Sequence, residues 1–99
     1  MILMARKKTF TISITRFVYL IYIVRLITGM TPRTIFEKFL TGNIKDEMIA
    51  LALGTLDRLE ADGVSIAVEG TFATFIMEWF RRAIGRKQLL KIGPLRITA

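Results

Sequence analysis

The side chains best equipped for chemistry in this sequence are cations, and they crowd its end. "WFRRAIGRKQLLK", Trp79 to Lys91, carries Arg81, Arg82, Arg86, Lys87 and Lys91 with no acid among them. Guanidinium and ammonium groups at this density bind phosphate, on nucleic acid or on lipid headgroups, through charge neutralisation and counterion release. Roughly four to six phosphates could be neutralised, which makes binding steeply salt-dependent. No helix-turn-helix spacing, zinc ligand set or aromatic RNA-binding signature accompanies the run, so any nucleic-acid contact should tolerate sequence. The plainer alternative is a solvated charged face. Trp79 and Phe80, just before Arg81-Arg82, have the order of an interfacial anchor, the ring at headgroup level and the guanidinium groups among phosphates. A core tryptophan beside surface arginines satisfies the same order.

Reaction chemistry has few parts to work with. The chain contains no histidine and no cysteine, which removes the commonest general base and metal ligand near neutral pH and all thiol chemistry. Asp57, Glu60 and Asp62 in "GTLDRLEADG" have neither the spacing nor the ligand number of a calcium loop. No glycine-rich phosphate loop or nucleophile elbow occurs. The sequence therefore predicts a non-enzymatic protein with no catalytic residue, cofactor, metal or small-molecule substrate.

The net charge of +7 is arranged in three blocks. Residues 1–41 hold Arg6, Lys7, Lys8, Arg16, Arg25, Arg33 and Lys38 against Glu37. Residues 42–80 hold Asp46, Glu47, Asp57, Glu60, Asp62, Glu69 and Glu78 against Lys45 and Arg58, and residues 81–99 hold six basic side chains and no acid. Either basic end could bind headgroups, nucleic-acid phosphate or the acidic block of a neighbouring copy.

These charges must be positioned by a chain rich in apolar residues. At 99 residues it makes one small domain, yet 53% of it is hydrophobic before its seven glycines are counted, against about 45–50% with glycine included in an ordinary protein. "TFTISITRFVYLIYIVRLITGM", Thr9–Met30, is long enough to cross a bilayer as a helix, but Arg16 and Arg25 interrupt it. On an insertion scale the apolar side chains contribute roughly −5 kcal/mol and each arginine costs about +2, so the sum is near zero. Phe17–Met30 is the more comfortable segment, too short for a full span and read as half-crossing or assembly-buried, with Phe17, Leu20, Ile21, Val24 and Ile27 as its apolar burial. The basic residues before it suggest a signal peptide, but no small-residue cleavage site follows, so the segment is expected to be retained.

The rest reads as helices. Thr31-Pro32 opens one and Gly42 stops it, with Ile35, Phe36, Phe39 and Leu40 on one side. Asn43 is the expected cap of a longer helix ending at Asp62-Gly63, its apolar arc formed by Ile44, Met48, Ile49, Leu51, Ala52, Leu56 and Leu59. "TFATFIMEWFRRAIGRKQ" is helical in period, with Phe72, Ile76, Trp79, Phe80, Ala83 and Ile84 on one arc. A competing strand signal comes from strict alternation in "TFTISIT" and "VSIAVEG", and the tail from Gly93-Pro94 is extended or irregular.

The expected fold is a mainly α, small helical protein with one or two marginal apolar helices buried in a membrane or an assembly. The alternative is a small α+β domain with strands near 9–15 and 64–69. Residues 1–99 form a single domain: a basic, apolar segment 1–30, amphipathic helices in 32–62, and an apolar-to-basic segment 64–99. Either way "FVYLIYIV" is apolar all round and calls for cover from outside the chain. The expected role is a structural subunit of a lipid-associated or virion-like assembly, contacting other subunits and a lipid membrane, with both termini on one cytoplasm-like side if the chain is a hairpin. The competing role is a soluble, oligomeric, sequence-tolerant nucleic-acid-binding protein.

Overall fold

The computed structural model describes residues 10–64, 70–84, 89–92 and 95–98. The fold is mainly helical, with β1 (Phe10–Ser13), α1 (Ile14–Thr28), α2 (Pro32–Thr41), α3 (Asp46–Ala61), α4 (Gly70–Ile84), β2 (Leu89–Ile92) and β3 (Leu95–Thr98) in chain order. The alternating opening segment is a strand only as far as Ser13. That residue's hydroxyl accepts the Arg16 amide at 3.2 Å and caps α1, so Ile14 and Thr15 are helical instead of extended. Val64 lies in no strand, and residues 65–69 of the second expected strand fall outside the described residues.

Helix α1 runs through the middle of the molecule, against α2, α3, α4, β1 and β3. Phe17, Val18, Leu20, Ile21, Ile23 and Val24 are buried there by the chain's own side chains. Phe17 meets Phe36, Phe39 and Phe80 at ring-centroid distances of 6.1, 5.4 and 5.8 Å. The expected need for outside cover is thus met internally over most of the helix. Its remaining stripe is Thr15, Tyr19, Tyr22 and Leu26, one or two turns apart on a 3.6-residue helix. The two half-buried tyrosines give that side a wet rim, because a phenol combines an apolar ring with a polar tip. Ile27, expected with the buried set, is 43% exposed because α1 stops one residue later, at Thr28.

The α1–α2 corner turns the helix axes by 111°. Gly29 takes the left-handed conformation (φ 73°) and its N–H donates to the Arg25 carbonyl at 2.8 Å. Thr31 then caps α2 with its hydroxyl on the Thr34 amide, and Pro32 follows at the first helical position. At the other end Gly42 (φ 75°) donates to the Phe39 carbonyl and Asn43 to that of Lys38, a Schellman closure. Asn43 is consumed in ending α2, so it does not cap α3. Lys45 occupies the cap without a side-chain hydrogen bond, and Asp46 and Glu47 in the first turn complement the exposed amides.

Helix α3 buries Ile49, Ala52 and Leu56, with Met48, Leu53 and Leu59 packed at the edge. Leu51, expected in the buried arc, is exposed: at about 100° per residue it lies some 160° from Ile49. On α4 Ile76 is buried, and Phe72, Ala73, Trp79 and Phe80 pack against the core, whereas Ala83 is exposed. Leu40 of α2 also stays exposed. The sheet has strand order β1-β3-β2, with β1 parallel and β2 antiparallel to β3. Ile12 faces Ile97 across the parallel pair, and both are buried with Leu95 beneath the sheet.

Candidate phosphate-contact surface

Strands from opposite extremes of the sequence meet in one sheet. In sequence β1 follows the Arg6-Lys7-Lys8 run, which lies outside the described residues, and its partner β3 belongs to the last basic block. Register carries the same row through all three strands: Thr11 is paired with Arg96, and Arg96 with Lys91. Alternation along β3 buries Leu95 and Ile97 and leaves Arg96 exposed, so Arg96, with the exposed Thr11 beside it, belongs to the outward face. Directly opposed residues of an antiparallel pair stand about 4.5–5.5 Å apart at Cα, where like charges repel. Arg96 and Lys91 are such a pair in register. Arg96 was not singled out in the sequence because its significance comes from register, which local spacing does not reveal.

The expected phosphate ligands fall on α4, on β2 and outside the described residues. Arg81 and Arg82 are exposed in the last turn of α4. Arg82 also bonds Glu78 at 3.2 Å, one helical turn back. Lys91 sits in β2 at the register position just given, and Arg86 and Lys87 lie outside the described residues. The chain from Ile84 to Leu89 spans at most about 18 Å, which ties the end of α4 to the start of β2.

Trp79 and Phe80 are placed against protein. Phe80 packs on Phe17, while Trp79 tilts against Phe36 at 5.9 Å and stacks nearly parallel to Phe75, with an interplanar angle of 11° and centroids 6.4 Å apart. The Arg33 guanidinium stands 5.1 Å from the Trp79 ring centroid. Of the residues expected to be buried, Phe17, Leu20, Ile21 and Val24 are covered within this chain.

Two acids of the middle block are bound by Arg16. Arg16, one of the two charges interrupting the apolar stretch, bonds Asp57 and also approaches Glu60 at 3.0 Å, both on α3. The unfavourable charge of the opening segment thus becomes a tether between two helices. Arg25 lies exposed in the last turn of α1, where a cation complements the helix C-terminus. Among the described residues no three acidic side chains come together in a way that could hold a metal ion. No single described helix is long and apolar enough to cross a membrane; α1 and α2 would qualify only as a bent pair. Comparison with protein-family models, with curated proteins and with solved structures finds no match for this chain.

Proposed function

We propose that the chain is a non-enzymatic subunit of an oligomeric nucleoprotein assembly, holding nucleic acid by its phosphates without reading sequence. The observation that supports this reading is the parallel β1–β3 pairing, which sets the strand that follows the Arg6-Lys7-Lys8 run in sequence beside the strand that holds Arg96. Internal cover of α1 and the packing of α4's apolar arc on Phe17, Tyr22 and Phe36 favour it over lipid residence, because those faces are already occupied. Leu26, Leu40, Leu51 and Met77 stay exposed on four helices and supply apolar contact for neighbouring subunits.

The test is a titration of random-sequence DNA and, separately, of phosphatidylserine vesicles, followed by anisotropy and by sedimentation. DNA binding is expected with a slope of log affinity against log salt of about −3 to −4 for a single strand. Arg96→Glu should weaken it about tenfold and shallow the slope by about one. Binding to vesicles alone would replace nucleic acid by headgroups as the partner, and binding to neither would remove the phosphate reading altogether.

A further inference from the structure

We infer that the Phe75–Trp79 stack is a base-stacking platform, making single-stranded nucleic acid the preferred ligand; this rests on the nucleic-acid reading above. Phe75 is 55% exposed, yet its ring lies within 11° of parallel to Trp79. The two rings lie nearly parallel with centroids 6.4 Å apart, and the exposed part of Phe75 is aromatic surface that the core does not cover. Met77, on the opposite flank of α4, is exposed as well but has no π-face to offer.

The charges around the stack suit a strand whose bases turn inward and whose phosphates remain outside. Arg82 lies seven residues beyond Phe75, on the same stripe of α4, and Arg33 of α2 reaches the Trp79 ring. Each arginine bonds a glutamate one turn away at 3.2 Å, Arg33 with Glu37 and Arg82 with Glu78. All four side chains are substantially exposed, and exposed pairs of this kind are weak enough for a guanidinium to exchange its carboxylate for a phosphate. Stacking on an aromatic face tolerates sequence because every base has such a face, and it requires bases that are free of a duplex.

The protein supplies its own reporter, since Trp79 is the sole tryptophan. Titration with oligothymidylate should quench its emission, and affinity for the single strand should exceed that for a duplex of equal length. Phe75→Ala should weaken single-strand binding about tenfold with duplex binding and the salt slope unchanged. Phe75→Tyr should restore it, and an unaltered melting temperature would show the fold intact. Arg96→Glu should change the salt slope and leave the quenching amplitude at saturation as it was. If Phe75→Ala binds single strands as well as the parent does, or if the parent prefers duplex, the platform is wrong while the phosphate surface stands. Failure of the parent to bind any nucleic acid overturns both.

Discussion

Helices α1 and α4 are both rich in apolar residues, but they meet their surroundings differently. Helix α1 is apolar nearly all round and is threaded through the centre, with six residues buried by α2, α3, α4 and the sheet. Helix α4 has a one-sided pattern and lies at the surface, with Ile76 fully buried and Phe75 and Met77 left on the flanks of its apolar arc. The contrast teaches that an all-round apolar helix in a short chain does not by itself demand lipid. It demands neighbours on most sides, and this chain supplies them except along the stripe from Thr15 to Leu26. The one-sided helix is the one with aromatic surface left for a partner.

The sharpest way to break that contrast is to cut into α1. Phe17→Ala removes a fully buried ring with three aromatic neighbours and should cost about 3–5 kcal/mol, read from urea or thermal unfolding. Two leucines on the same helix come next: Leu20→Ala should cost about 2–5 kcal/mol, while Leu26→Ala, at a position 67% exposed, should stay within about 0.5 kcal/mol. Equal effects at the two would mean that α1 is covered on both sides in solution. At the corner leaving α1, Thr31→Ala removes the cap of α2 and should cost about 1 kcal/mol, while a helix-interior threonine of α3 such as Thr55 should be nearly neutral on the same change. The smallest effect belongs to the Arg16 tether. A double-mutant cycle of Arg16→Ala with Asp57→Ala should give a coupling below about 1 kcal/mol, because Asp57 is 68% exposed.

What could be read in the sequence was local. Thr31-Pro32 and Gly42 bound α2 as expected because capping and turn chemistry act over a few residues. The arc of α4 from Phe72 to Phe80 follows from helical period alone. Asn43 misled because two helix ends compete for a short segment, and closing α2 takes its backbone first. Leu51 lies outside the covered face of α3, which is narrower than the spread of apolar residues along the helix. Arg16 looked like a cost to an apolar segment, since its carboxylate partners lie more than forty residues away on α3. The same distance problem hid Arg96. Its five basic companions stood out as a run, whereas its own place in the candidate surface depends on pairing between the first and last strands of the chain.

That pairing bears the whole functional account, and the absence of native cysteine allows it to be tested cleanly. Neighbouring strands bring paired Cα atoms to about 5 Å, within the reach of a disulfide. A Thr11→Cys, Arg96→Cys variant, oxidised gently at low concentration, should close an intramolecular disulfide, visible as monomer of raised mobility on a non-reducing gel. Free thiols after oxidation, or dimers linked between chains, would show that the two ends do not meet within one molecule.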